Sequence, residues 1–164
     1  MTRLSTIELF KEEMKFSAGH FTVFSEVIRE NLHGHNYNVY AAFTTEVADE
    51  GLSFDYRFYK DKMYQLCARL DEAVILPEHC KYLNIKDEGA YYHAHFNDEV
   101  IIFLKRDVKL LPINNVTVEE LSHWMLQQLL VDQHELMTNK VVAIEIKVFS
   151  GPGQSGSSSW KRNT

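Results

Sequence analysis

The residues of this chain with the clearest chemical potential are three histidines. His33 and His35 flank Gly34, and His20 lies thirteen positions before His33. On a β-strand, side chains at positions i and i+2 project from the same face, so His33 and His35 can address one point. His20 is distant enough to return from a neighbouring strand or loop. Three neutral imidazoles with an open fourth position are the usual catalytic zinc arrangement, so we predict that these residues bind Zn²⁺.

The spacing alone leaves a second interpretation, in which the three rings are ordinary solvated side chains of a strand. His93 and His95 have the same spacing but lack comparable flanking residues. We therefore interpret that second pair as surface or interface histidines. The residues that flank the first pair decide between the two interpretations.

Those flanking residues form motifs that occur in a fixed order along the chain. They are Phe16–His20, Leu32–Tyr37, Gly51–Tyr56, Leu70–Asp71 and Val116–Glu119. In type and order they resemble the 6-pyruvoyl-tetrahydropterin synthase and 6-carboxy-tetrahydropterin synthase family. The resemblance implies an α+β tunnelling fold (T-fold), with an antiparallel β-sheet and two helices packed on one face. It also implies a zinc site, a pterin-like small-molecule substrate and a ring-like homo-oligomer with active sites between subunits.

The chain departs from the family pattern at three positions. The family has a cysteine four residues before the first histidine of the His-Gly-His motif, where this chain has Arg29. Arginine cannot act as a base at neutral pH. The family's Asp-His pair after the first helix reads Asp71-Glu72, and its pterin-anchoring glutamate corresponds to Ser150. Three of the usual catalytic or anchoring positions are therefore changed.

Carboxylates are the candidates to replace the missing groups. Glu26 and Glu30 flank the position of the missing cysteine, and a carboxylate near Zn²⁺ can act as a general base. The family also includes a sub-family that has glutamate in place of the cysteine and cleaves the pterin side chain in an aldol sense. Asp71 and Glu72 form a second candidate acid–base pair, because neighbouring carboxylates raise one pKa. Each of the four could instead be an ordinary surface charge.

Thr117 is a candidate substrate-binding residue at the start of the second predicted helix. Its hydroxyl can cap that helix, with Glu120 in the capping-box position, and it can also contact the ring of a substrate. The cap alone would be a sufficient reason for a threonine at this position.

Two functional hypotheses follow from these residues. The first is a zinc-dependent lyase acting on the side chain of a dihydroneopterin-like substrate, by carbon–oxygen elimination or carbon–carbon cleavage, in folate, biopterin or queuosine-type biosynthesis. The second is a retooled or non-catalytic paralogue that keeps the zinc and binds another small molecule. A zinc hydrolase is a weaker third alternative, because nothing in the sequence specifies its substrate.

Composition narrows the possible partners. The chain has 164 residues and a net charge of −6, without a basic surface of the kind that binds nucleic acid. It has two cysteines and no apolar run of the ~18 residues that a membrane span requires. The N-terminus lacks the apolar segment of a signal peptide. We therefore expect a cytoplasmic protein that binds neither nucleic acid nor membranes.

The chain is predicted to form a single domain over residues 1–150. Strands are predicted near residues 4–11, 14–20, 35–47, 52–54 and 141–149, and helices from Tyr56 to Leu70 and from Thr117 onward. Cys67 lies on the apolar face of the first helix and is predicted to be buried. The stretch 77–111 is longer than the family usually has there. Residues 151–164 are Gly/Ser-rich and are predicted to form a flexible C-terminal tail.

Overall fold

The computed structural model describes residues 3–163, which form ten strands, three α-helices and one 3₁₀ turn (Lys105–Asp107), joined by loops. The strands are β1 (Arg3–Leu9), β2 (Lys15–His20), β3 (His33–Val47), β4 (Ala73–Pro77), β5 (Asn84–Glu88), β6 (Tyr91–Phe96), β7 (Glu99–Leu104), β8 (Val108–Leu111), β9 (Val141–Gly151) and β10 (Gln154–Lys161). The helices are α1 (Arg57–Leu70), α2 (Val118–Leu130) and α3 (Gln133–Thr138). Within these described residues, none of the helices has the length and apolar character needed to cross a membrane.

The main sheet contains seven strands. Its order is β10-β9-β3-β2-β4-β8, and β1 pairs with the C-terminal half of β3. Only the β2–β4 and β4–β8 pairings are parallel among the described strands. The antiparallel register of β2 and β3 sets His20 opposite His33, which brings together residues that are distant in sequence. A mostly antiparallel sheet combined with helices confirms the predicted α+β class.

Helices α1 and α2 pack on one face of this sheet. Alternate residues of β3 point to that face, and Tyr37, Val39 and Phe43 are among the fully buried ones. They meet an apolar stripe on each helix, including Met63 of α1 and Met125 of α2. Each such side chain contributes ~1.5–3 kcal/mol when it leaves water. Cys67 belongs to this core, as predicted, and burial raises the pKa of its thiol to about 12.

The stretch 77–111 forms a second, smaller sheet. Strands β5, β6 and β7 are antiparallel neighbours, and the face carrying Ala94, Phe96 and Phe103 is buried. That face packs with Phe21, which follows directly after β2. The small sheet therefore packs against the segment that directly follows His20.

The prediction of a flexible C-terminal tail was wrong. Residues 154–161 form strand β10, which pairs with β9 and packs on the first turn of α2. Glycine permits this contact, since a Cβ added to Gly156 would lie 2.5 Å from the carbonyl carbon of Val118. The Oγ atoms of Ser122 and Ser158 are 3.0 Å apart and add a polar contact between the same two elements. A Gly/Ser-rich composition here reflects close packing of a strand on a helix.

We expect Gly156→Ala to lower the free energy of unfolding by about 1–3 kcal/mol, because the added methyl group must displace backbone. The matched control is Gly151→Ala, since a Cβ at Gly151 meets no atom within 4 Å. Chemical denaturation of the two variants measures the difference. Equal stabilities would contradict the close contact between β10 and α2.

Two smaller predictions also need correction, and one short helix was missed. Residues 52–54 are irregular rather than a strand. The carboxylate of Glu120 accepts hydrogen bonds from Asn114 instead of completing a capping box, although Thr117 does cap α2 by accepting from the Glu120 amide at 3.3 Å. The short helix α3 was not predicted. It begins after Asp132, whose carboxylate accepts from the amide of Glu135 at 2.9 Å.

Candidate metal centre

The three predicted ligands lie side by side at one end of the main sheet. His20 ends β2, while His33 and His35 begin β3. Their ring centroids are 4.6, 4.8 and 5.1 Å apart. Gly34 allows β3 to lie this close to β2, because a Cβ there would lie 3.3 Å from the carbonyl oxygen of Ala18. The sequence-predicted trio is therefore brought together by strand pairing.

Backbone carbonyls orient two of the three rings. Nδ1 of His20 lies 3.0 Å from the carbonyl oxygen of Val116, and Nδ1 of His33 lies 2.8 Å from that of Asn31. A carbonyl oxygen can only accept, so we assign the ring proton to Nδ1 in both residues. Their Nε2 atoms then carry free lone pairs. Such a hydrogen bond to the distal ring nitrogen is the usual way in which a metal-binding histidine is held.

The donor set fits a metal ion. Nε2 of His20 is buried and has no hydrogen-bond partner, which is costly unless a ligand occupies the space beside it. Nε2 of His33 lies 3.0 Å from Nε2 of His35, and one nitrogen of each ring falls within 4.8 Å of the others. A tetrahedral Zn²⁺ with bonds of ~2.0–2.1 Å would hold its nitrogens roughly 3.3 Å apart. This is the only group of its kind among residues 3–163.

The environment of His20 favours its neutral form. Burial lowers the pKa of this imidazole, and repulsion by His33 lowers it further. The hydrogen bond to Val116 and the negative charge of Glu30 act in the opposite direction without outweighing them. A neutral imidazole is the form that binds a metal, so protons compete weakly at this position.

Glu30 is the carboxylate whose negative charge acts on the pKa of His20. It belongs to a small hairpin over residues 22–30, in which the Glu30 amide donates to the carbonyl of Thr22 at 2.9 Å. The amide of Thr22 in turn donates to Oε2 of Glu30, also at 2.9 Å. Burial raises the pKa of Glu30, but hydrogen bonding from Thr22 and attraction by His33 and His20 outweigh it, so the pKa falls below its ordinary value. Glu30 is ionised at neutral pH.

Glu26 occupies a different part of the same hairpin. It lies at the exposed tip, between Phe24 and Ile28, whose backbone groups are hydrogen-bonded at 2.9 Å. Of the two glutamates that flank the missing cysteine, Glu30 is therefore the one whose charge interacts with His33 and His20, while Glu26 lies at the solvent-exposed turn.

Arg29 is a structural residue that the sequence did not reveal. Its Nε donates to Oε2 of Glu99 at 2.9 Å, and its Nη1 donates to the carbonyl of Glu30 at 2.8 Å. The guanidinium also lies over the rings of Phe21 and Phe96. At the position of the family's cysteine, this chain thus has a clamp that fastens the hairpin to the small sheet. The only sequence signal for this role was that Arg29 stands next to Glu30, at the position where the family has its cysteine.

Asp71 and Glu72 do not join the histidines within one chain. The carboxylate of Asp71 accepts from the Ser17 amide at 2.7 Å, and the Glu72 amide donates to the Ser17 carbonyl at 2.8 Å. Glu72 has a φ of +54°, in the left-handed region that few non-glycine residues adopt. Glu72 lines a cavity of about 420 Å³ together with Gly34, His35 and Asn36.

Two candidates remain, namely Thr117 and the histidine pair on β6. Thr117 directly follows Val116, the residue that orients His20, and its hydroxyl is used as the cap of α2. The ring centroids of His93 and His95 are 6.3 Å apart on β6, with no third ligand near them among the described residues. The roles of Glu26, Glu30, Asp71, Glu72 and Thr117 stay predictions.

Comparison with known proteins decides the family. The family model of 6-pyruvoyl tetrahydropterin synthase matches residues 9–156. The chain belongs to the 6-pyruvoyl tetrahydropterin synthase family. It is 29% identical over 144 residues to a Methanocaldococcus jannaschii protein provisionally named 6-carboxy-5,6,7,8-tetrahydropterin synthase, covering 86% of each chain.

Solved structures of the family share the fold of this chain. The 6-pyruvoyl tetrahydropterin synthase from Plasmodium vivax is 29% identical, with a TM-score of 0.91 over 98% of this chain and 99% of its own. In a second structure of that protein, a glutamate described as a catalytic residue is replaced by alanine (28% identity, TM-score 0.92, coverage 98% and 99%). These similarities confirm the predicted tunnelling fold. Coverage of 98% also means that the stretch 77–111 has a counterpart in the P. vivax protein.

Proposed function

We propose that this member of the family is a zinc-dependent lyase that acts on the side chain of a dihydroneopterin-like substrate. His20, His33 and His35 would hold the ion. When bound, Zn²⁺ would polarise the oxygens of the substrate side chain and acidify the adjacent C–H. The buried Nε2 of His20, which has no hydrogen-bond partner, is the observation that carries this proposal.

The chain's own residues would orient the substrate and move the proton. Glu30 is ionised, sits in the hairpin beside the imidazoles and is held there by the Thr22 amide. We assign it the role of the general base that takes the proton from the substrate side chain. The catalytic glutamate of the P. vivax protein supports a carboxylate in this role.

The other predicted residues would act from different positions. Thr117 stands at the start of α2, next to the carbonyl that orients His20, where it would contact the ring of the substrate. Asp71 and Glu72 lie outside the histidine cluster and are hydrogen-bonded to the backbone of Ser17. They would act on a metal centre from a neighbouring copy, in a homo-oligomer with sites between subunits.

An assay of the zinc-loaded protein tests the proposal. The protein is incubated with dihydroneopterin and, separately, with its triphosphate, and released triphosphate, acetaldehyde and glycolaldehyde are measured. Zinc-dependent release of any of these products supports a lyase. An intact zinc site without turnover of either substrate would overturn it and would leave a retooled zinc-binding protein as the function.

A further inference from the structure

One side chain links the two halves of the candidate site. Asn115 lies in the segment between β8 and α2, directly before Val116. Its Oδ1 accepts from the amide of Val23 at 3.1 Å, and its Nδ2 donates to the carbonyl of Val23 at 2.7 Å. The carboxamide thus completes the pairing of Val23 as a neighbouring strand would, inside a segment that belongs to no sheet.

The same oxygen has a second partner. Oδ1 of Asn115 also accepts from the amide of Val116 at 3.1 Å. This bond holds the amide of Val116, the residue whose own carbonyl oxygen lies 3.0 Å from Nδ1 of His20. From one carboxamide, a chain of two hydrogen bonds therefore leads to the imidazole whose free nitrogen faces the metal position.

The Val23 side leads to Glu30. Val23 follows Thr22, whose amide donates to the Glu30 carboxylate, and it forms a bridge with Arg29 across the hairpin. Without Asn115, the amide and the carbonyl of Val23 would each lose their hydrogen-bond partner. The cost is about 1–3 kcal/mol per group. The position of the Glu30 carboxylate thus depends on the same residue as the orientation of His20.

We propose that Asn115 is a positioning residue that fixes His20 and the hairpin carrying Glu30 relative to each other. For its catalytic meaning this inference rests on the proposed function, but the geometry it describes exists without metal or substrate. The two roles of Asn115 can be tested separately. The amides of Val23 and Val116 need only the acceptor Oδ1, whereas the carbonyl of Val23 needs the donor Nδ2.

Three variants separate the two roles. Asn115→Ala removes every bond of the side chain. Asn115→Asp keeps acceptors for both amides and loses the donor to Val23. The matched control is Asn114→Ala, since the neighbouring asparagine bonds only to Glu120 through its side chain.

The first measurements use the metal-free protein. Nitrogen NMR at about pH 8, where imidazoles are neutral, reports the tautomer of His20, and hydrogen exchange reports the Glu30 amide. We expect Asn115→Ala to mix the tautomers and to speed exchange of that amide at least tenfold. Asn115→Asp should keep the His20 tautomer and speed only the exchange. Asn114→Ala should change neither.

Cobalt titration provides the second readout. The visible spectrum of Co²⁺ reports its coordination, and we expect Asn115→Ala to weaken binding by about 10–100-fold, as loss of other groups that orient ligands does. Asn115→Asp should bind within about threefold of the unaltered protein, well below that range. An Asn115→Ala protein with unchanged tautomer, exchange and cobalt affinity would overturn the inference. Failure of the unaltered protein to bind cobalt would instead count against the proposed function, with the tautomer and exchange results still deciding the role of Asn115.

Discussion

His33→Ala is expected to remove the metal and to lower turnover by about 10³-fold or more, because polarisation by a bound ion is worth several kcal/mol. His33 contributes an Nε2 lone pair at the exposed side of the trio, so its removal leaves two ligands without disturbing the core. Elemental analysis of the dialysed protein and the rate of product release measure the two effects. Removal of metal with a chelator should have the same consequence, and added zinc should restore activity in the unaltered protein alone.

The matched control for this variant is His93→Ala. His93 belongs to the second His-x-His pair, on a strand of the small sheet, and has no third ligand beside it among the described residues. It should keep both metal content and turnover. Equal loss of metal in the two variants would mean that the trio is not the binding site.

Glu30→Gln is expected to lower kcat by about 10²–10⁴-fold, the usual contribution of a general base. Glutamine can still accept from the amide of Thr22, so the hairpin and the zinc content should be preserved. Stopped-time assays at saturating substrate measure kcat, and elemental analysis confirms that the ion is present.

Glu26→Gln provides the comparison, since Glu26 shares the hairpin but lies at its exposed tip. We expect turnover within about threefold of the unaltered protein, far from the loss expected when a base is removed. If Glu26→Gln were the damaging change and Glu30→Gln were harmless, the assignment of the base would be reversed.

The clustering of the three histidines was predictable because its signal is local. His33 and His35 are two positions apart on one strand, so their side chains share a face whatever the other elements do. Strand pairing then needs to add only one residue, His20. The same holds for the cap of α2 by Thr117 and for the burial of Cys67, which depend on residues within a few turns.

What the sequence did not reveal depends on contacts between distant segments. The role of Arg29 requires Glu99, seventy positions away, and that of Asn115 requires Val23, ninety-two positions away. Strand β10 was mistaken for a tail because serine and glycine have low strand propensity, and only the packing of Gly156 against α2 explains their presence. Tertiary contact overrode composition at that position.

The position of Asp71 and Glu72 illustrates a third limit. The sequence placed them correctly at the end of α1, but it could not show that both are hydrogen-bonded to the backbone of Ser17, fifty-four positions before Asp71. Neither residue belongs to the histidine cluster, and a role for them at a metal centre stays a prediction.

X-ray absorption spectroscopy at the zinc edge, on protein reconstituted with one equivalent of Zn²⁺, tests the central claim most directly. We expect three imidazole nitrogens and one further light atom at ~2.0–2.1 Å in the unaltered protein and in His93→Ala, whereas His33→Ala, which loses the ion, should not give this signal. A sulfur ligand at ~2.3 Å, or a spectrum that His33→Ala leaves unaltered, would contradict the assignment of His20, His33 and His35 as the metal centre.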